Sequence, residues 1–282
     1  IRGLYPLRPS MPAIPGIEGV ARIIERSPQC KRQEFEEGSL VLLPLRCGSW
    51  RSRMCVDEQQ LIVLPDDIDP LQAAMLSING ATAALLLDPP RASRDFHSHL
   101  GAGDWLIQGP GAGSVGQYVN QLAQQMGIGV INMISAPQQG DELQAKGHDH
   151  LILLPEDLSN HSRADLQDLS ATCQRKIRDI TGGSLPKIAL DGIGGQWTSI
   201  MAKCLEKGSS ILHYGAMSKQ APQLPVDSCV FNDIRLRGFW LHHWIQERGF
   251  HAYADLMTSL LNGEHRLHNR IAAIYPLNDI GK

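Results

Sequence analysis

The chain is poor in basic charge. Its 282 residues carry 26 Lys and Arg against 29 Asp and Glu, a net charge of −3. Broad binding to nucleic acid or to an anionic membrane surface needs a basic face, so neither partner is expected. Long apolar runs are also missing: stretches such as 81–87 fall far short of the roughly 20 residues that cross a bilayer. The six cysteines (Cys30, Cys47, Cys55, Cys173, Cys204 and Cys229) are scattered and form no C-x-x-C pair, which argues against a zinc knuckle. A chain this long has no need of a disulfide framework, so reduced thiols in an intracellular setting are expected. Neither internal repeats nor low-complexity tracts are present. The first residue is Ile1, no signal-peptide pattern follows it, and the end at Leu277–Lys282 has no stop-like tail. We read the chain as a fragment cut at both ends, with any targeting segment outside it.

What is present is enough for real cores. Apolar residues make up 43%, and the length allows one large domain or two ordinary ones. Residues 1–70 are rich in Pro and Gly, with short β-like runs at Val20–Ile24, Ser39–Leu43 and Leu61–Leu64. From Asp69 the pattern turns helical. Asp69 fits an N-cap, Pro70 the first helical position, and Leu71–Leu87 carries apolar residues at helical spacing. Strands and helices then alternate. Strands are expected at Trp105–Gln108, Gly129–Ile134, His150–Leu154, Lys187–Leu190, Ser210–Tyr214 and Ile234–Gly238. Helices are expected at Val115–Met126, Gln139–Lys146, Arg163–Ile180, Gln196–Glu206 and Trp244–Leu261. That alternation implies an α/β class with βαβ crossovers and a mostly parallel sheet. The pattern changes near residues 72 and 239, which divides the chain into 1–71 with 239–282, and 72–238.

The most informative stretch runs from Asp104 to Gly127. A short buried strand leads into Gly109-Pro110-Gly111-Ala112-Gly113-Ser114-Val115-Gly116, and a helix follows. Gly111, Gly113 and Gly116 fit G-x-G-x-x-G in the strand–turn–helix setting that gives the motif meaning. Glycines let the backbone turn tightly and approach a pyrophosphate, whose charge would sit on the amides opening the helix. An NAD site usually places a carboxylate at the end of the second strand. Here that strand ends at Ser135-Ala136-Pro137, with no carboxylate to repel a 2′-phosphate. NADPH is therefore favoured over NADH, with Ser135 as one donor to the phosphate.

Several segments resemble one superfamily. Pro15-Gly16-Ile17-Glu18-Gly19-Val20, Glu37-Gly38-Ser39-Leu40-Val41, Gly48-Ser49-Trp50-Arg51 and Leu64-Pro65-Asp66 look like catalytic-domain landmarks of the medium-chain dehydrogenase/reductases. Four more segments narrow the resemblance to the mitochondrial-type trans-2-enoyl-thioester reductases, acting on enoyl-CoA or enoyl-ACP. They are Ile1–Pro6, Ser77–Ala83, His213–Gln220 and Leu236–Leu241. The similarity runs over essentially the whole chain, and the last two motifs are the most specific.

The resemblance implies a Rossmann domain beside a partial, β-rich GroES-like catalytic domain. It implies hydride transfer from the nicotinamide C4 of NADPH to the β-carbon of an enoyl thioester, with protonation at the α-carbon. The family's proton-donating Tyr falls on Tyr5, and a phenol with an ordinary pKa near 10 is protonated at neutral pH. Asn79 matches a position near the nicotinamide. Ala112, Gly113, Ser114 and Val115 match the pyrophosphate turn. Tyr214, Gly215, Ala216 and Met217 match a cofactor-contacting loop after a strand. Phe239, Trp240, Leu241 and His242 join the cofactor set in the stretch leading back to the first domain, the two aromatics as pocket lining. A homodimer is implied, through an edge strand at Ser210–Tyr214 or Ile234–Gly238. Fatty acid synthesis is the implied setting, in the mitochondrion of a eukaryote or the cytoplasm of a bacterium.

The family's zinc-dependent alcohol dehydrogenases carry Gly-His-Glu where this chain has Gly16-Ile17-Glu18, and Ile17 cannot bind a metal. The four-cysteine structural lobe is missing too, so the zinc-free branch is expected. One departure stands out: Ser135 and Pro137 occupy the place of the family's phosphate-binding arginines. The same scaffold also carries quinone and alkenal reductases and non-catalytic relatives, and these remain alternatives. His97, His99, His148 and His150 lack a completing ligand set and read as surface histidines. Arg235 and Arg237 share one strand face, either solvated or facing acidic CoA phosphates or carrier protein.

Overall fold

The computed structural model describes residues 9–92, 99–263 and 265–279. The chain divides into two compact units, Ile1–Ala81 with Ile245–Lys282, and Thr82–Trp244.

The first unit contains a three-stranded antiparallel sheet in the order β1 (Val20–Arg22), β2 (Leu40–Leu42), β3 (Ile62–Val63). Val20 faces Leu42 and Val41 faces Val63. Phe35, Val41, Leu42 and Leu64 are buried, and the Arg32 guanidinium lies 4.3 Å over the Phe35 ring. Asp69 caps the next helix as its sequence suggests: its Oδ1 accepts from the Leu71 amide at 2.9 Å, and Pro70 opens α1 (Pro70–Met75). The helix then widens into a π-helical turn, Leu76–Gly80, before α2 (Ala81–Leu87). The run from Pro70 to Leu87 spans 18 residues with mean hydropathy 1.3. By length and composition it could cross a membrane, unlike the shorter apolar runs counted in the sequence; 56% of it is buried inside the protein, as in a core helix.

The second unit holds a six-stranded sheet, all of it parallel. Its strands are β4 (Trp105–Gly109), β5 (Gly129–Ile134), β6 (Leu151–Leu153), β7 (Ile188–Asp191), β8 (Ser210–His213) and β9 (Arg235–Gly238). Their spatial order is β6-β5-β4-β7-β8-β9. Counted from the first strand, this is the 3-2-1-4-5-6 order of a dinucleotide-binding fold, and the order reverses between β4 and β7. Parallel strands are covered on both faces, which is why they read as near-continuous apolar runs. Ile107, Ile131, Met133, Ala189 and Ile211 pack with Cys173 and Ile177 of α6 (Arg163–Thr181) and with Trp197, Ile200 and Met201 of α7 (Gln196–Lys203).

The nine strands among the described residues lie where the sequence suggests. The helices differ at their ends for identifiable reasons. The helix α5 (Pro137–Gln144) starts two residues early because Pro137 suits a first helical turn. Ser162 and Asp165 form a reciprocal capping box on α6, which runs one residue further and ends at Gly182 with φ 71°. The helix α9 (Leu241–Leu261) breaks at Gly249, whose φ of 85° suits glycine. Two short helices were not foreseen, α3 (Pro89–Ala92) and α8 (Val226–Asn232). Both lie below the length at which apolar periodicity is readable.

Candidate functional site

The glycine turn joins β4 to α4 (Ser114–Gln125) beside the point where the strand order reverses. Gly109 ends β4 and pairs with Asp191 of β7. The turn is folded tightly on itself and on β5. The Gly111 amide donates to the Met133 carbonyl at 2.9 Å, and the Gly113 amide to the Pro110 carbonyl at 3.2 Å. A Cβ on Gly111 would lie 2.6 Å from Cβ of Asn132. One on Gly116 would lie 2.6 Å from the carbonyl oxygens of both Pro110 and Gly111. Only glycine fits at either place.

Gly113 is the N-cap of α4 and contributes no capping side chain. The first amides of a helix have no intrahelical acceptor and carry the positive end of its dipole. A pyrophosphate would complete that arrangement, so the residues present fit a dinucleotide. Below the turn, three buried amides lock β4, α4 and β5 together. Gln108 Nε2 donates to Asn132 Oδ1 at 2.7 Å, and Asn120 Nδ2 donates to the same oxygen at 3.0 Å. Gln117 Nε2 donates to the Ala112 carbonyl at 3.1 Å and so braces the turn from the helix side.

Ser135 follows the end of β5, and its amide donates to Gln139 Oε1 at 3.0 Å. Tyr214, Gly215, Ala216 and Met217 follow β8 and interlock with the loop after β7. The Tyr214 amide donates to the Asp191 carbonyl at 2.9 Å, the Met217 amide to Gly192 at 3.1 Å, and the Ser218 amide to Ile193 at 3.0 Å. Burial, and then the nearby Asp191 charge, push the Tyr214 phenol above its ordinary range. Met217 is exposed. After β9, the Phe239 amide donates to the His213 carbonyl at 2.8 Å. The rings of Trp240 and His242 stack at 5.2 Å, and Leu241 is buried.

One constellation in this unit escaped the sequence reading. Asp191 is fully buried at the C-terminal end of β7. Its Oδ1 accepts from the amides of Ile193 (2.9 Å) and Gly194 (3.0 Å). Its Oδ2 accepts from Thr198 Oγ1 (2.6 Å) and lies 3.0 Å from His213 Nδ1. Burial alone would raise the carboxyl, but these bonds, led by His213, hold it below the usual range. The available signal was Asp191-Gly192-Ile193-Gly194-Gly195 closing one strand and His213 closing the next.

In the first unit, Asn79 lies in the π-helical turn and is half-buried. Next to it, the Ile78 amide donates to Glu18 Oε2 at 3.2 Å. Burial pushes Glu18 up to about 7, and the Ile78 bond offsets only part of that rise. Ser77 is fully buried, its carbonyl accepting from Tyr253 Oη at 3.0 Å. Such π-turns are frequent at functional sites. Tyr5 and His97 lie outside the described residues. His150 meets the Trp105 ring edge-on at 5.1 Å, and Arg235 pairs with Asp233 at 2.6 Å. Among the described residues, no three His, Cys, Asp or Glu side chains gather as a metal site, and all six cysteines are free thiols.

The parallel sheet in this order and the glycine turn at its switch point define a dinucleotide-binding dehydrogenase fold. Residues 114–259 match the zinc-binding dehydrogenase family, and the chain belongs to it. Within the family its similarity is to enoyl-thioester reductases of the medium-chain dehydrogenase/reductase superfamily, as the sequence motifs imply. The mitochondrial enoyl-[acyl-carrier-protein] reductase of Xenopus tropicalis is 32% identical over 253 residues, covering 88% of this chain and 66% of that protein. The chain therefore spans just under two thirds of that relative's length. The Candida tropicalis enoyl thioester reductase Etr1p, solved with NADP and crotonyl-CoA, has the same fold at TM-score 0.75 and 24% identity. That match covers 94% of this chain and 73% of the other. A quinone oxidoreductase of Pseudomonas syringae superposes at TM-score 0.72 with 21% identity, over 98% of this chain and 78% of its own.

Proposed function

We propose that the protein is an NADPH-dependent reductase of the C=C bond in trans-2-enoyl thioesters, enoyl-CoA or enoyl-ACP, in fatty acid synthesis. The observation that carries the reading is the glycine turn closed on an uncapped helix start at the sheet's switch point. The names of the similar proteins supply the substrate class. When bound, NADPH supplies the hydride for the β-carbon. The chain's own residues would do the rest. Gly111, Ala112, Gly113, Ser114, Val115 and Gly116 would hold the pyrophosphate. Ser135 would meet the 2′-phosphate, and no carboxylate stands there to repel it. Asn79 and the loop Tyr214–Met217 would orient the nicotinamide half, with Phe239, Trp240, Leu241 and His242 adding to the cofactor set. Tyr5 would donate the proton to the α-carbon. Ile17 at the place of the family's metal-binding His supports a zinc-independent reaction. The Rossmann part is 72–238, and 1–71 with 239–282 form the substrate part. We also infer a homodimer, and a mitochondrial location if the source is eukaryotic.

The test is NADPH oxidation by the purified full chain with crotonyl-CoA and, separately, with a quinone. Oxidation driven by crotonyl-CoA is expected. Oxidation with the quinone alone would overturn the enoyl-thioester reading.

A further inference from the structure

We propose that His213 is a further cofactor-contacting residue, its ring fixed by buried Asp191 so that Nε2 meets a hydroxyl or amide on the nicotinamide half of a bound pyridine dinucleotide. The inference rests on the dinucleotide reading above.

The register places the pair. Gly109, Asp191, His213 and Gly238 stand opposite one another along the C-terminal ends of β4, β7, β8 and β9. Residues in register on parallel strands project to the same side of a sheet, so Asp191 and His213 meet. In an open α/β sheet, ligands lie outside these strand ends at the switch point. The second strand, here β5, reads the adenosine ribose. The other half of a dinucleotide laid across the switch point must then pass over β7 and β8, where the pair stands.

The chemistry explains why the pair is more than structural. A carboxylate only accepts, so His213 Nδ1 donates in the 3.0 Å bond, and Nε2 is the ring nitrogen turned away from Asp191. Asp191 is already held by two amides and the Thr198 hydroxyl. The carboxylate has no exposure at all, while the imidazole side chain is 16% exposed. The ring thus bridges a buried anion and the surface at the strand ends. Nε2 has no partner among the described residues. The flanking loops are tied together, with Ser218 Oγ donating to the Ile193 carbonyl at 2.7 Å, so the ring sits in a rigid frame. Orienting one imidazole nitrogen through a carboxylate on the other is a general device for presenting a ligand-binding nitrogen.

The test separates the two halves of the cofactor. His213→Asn keeps an N–H for Asp191 and removes Nε2; His213→Gln keeps the reach of Nε2. NADPH and 2′,5′-ADP, which is the adenosine half alone, are titrated against each protein by fluorescence and calorimetry. The Asn variant is expected to bind NADPH about tenfold more weakly, the worth of one hydrogen bond, and 2′,5′-ADP unchanged. The Gln variant is expected to recover part of the loss. Unchanged NADPH binding by the Asn variant, or equal weakening of both probes, overturns the proposal. Nitrogen NMR of the unsubstituted protein needs no variant: the His213 Nε2 resonance is expected to move with NADPH and not with 2′,5′-ADP, and no movement with NADPH overturns the proposal. If the unsubstituted protein binds 2′,5′-ADP and NADPH equally well, His213 makes no contact and the dinucleotide site stands. If it binds neither, the dinucleotide reading falls and takes this inference with it.

Discussion

Glu18 shows how one partly buried residue ties stability to pH. Its carboxyl is raised from 4.5 to about 7, chiefly by burial. The folded chain therefore holds a proton that the unfolded chain has released. The resulting stability is full below about pH 4.5 and is lost as pH rises through about 7. Glu18→Gln keeps an oxygen for the Ile78 amide and carries no charge. It is expected to raise stability by about 2–3 kcal/mol at pH 8 and to change little at pH 4, read by thermal melting at both values. Equal melting shifts at the two pH values would contradict this. The residues that could be named from sequence were those with a motif around them, such as Gly111 and Gly116. Glu18 meets Ile78 across 60 positions and Asp191 meets His213 across 22. No spacing rule links such pairs before the fold brings them together.

At the scale of elements, strands were more legible than helix ends. Most strands are short apolar runs between turn residues, and in β4, β5, β7 and β8 burial on both faces leaves little ambiguity. Helix ends depend on single caps. Asp69, with Pro70 after it, could be read directly, whereas Pro137 moved α5 two residues from where its apolar spacing begins. The π-helical turn at Leu76–Gly80 has no sequence signal of its own, since its residues continue the helical pattern on both sides. The edge strand carries an expectation of its own. Among the described residues β9 pairs only with β8, and the neighbouring α8 exposes Val226, Val230 and Phe231. An open edge beside exposed apolar side chains suits a second copy of the chain. Light scattering is expected to give twice the chain's mass, with Phe231→Glu returning it to one. A monomeric unsubstituted chain would contradict the homodimer we infer.

At the scale of the whole molecule, a 3-2-1-4-5-6 parallel sheet and a glycine turn at its reversal point set where a ligand can bind. The choice of NADPH was the least legible part, because Ser135 gives a permissive site and no arginine follows it. The account depends on phosphate docking at residues 111–116. Calorimetric titration of the full chain with NADPH, set beside Gly111→Ala, tests this most directly. The unsubstituted chain is expected to bind with a one-to-one stoichiometry. The variant is expected to lose at least tenfold in affinity, since its Cβ would meet Asn132 at 2.6 Å. No heat of binding with the unsubstituted chain, or equal affinity in both proteins, would contradict it.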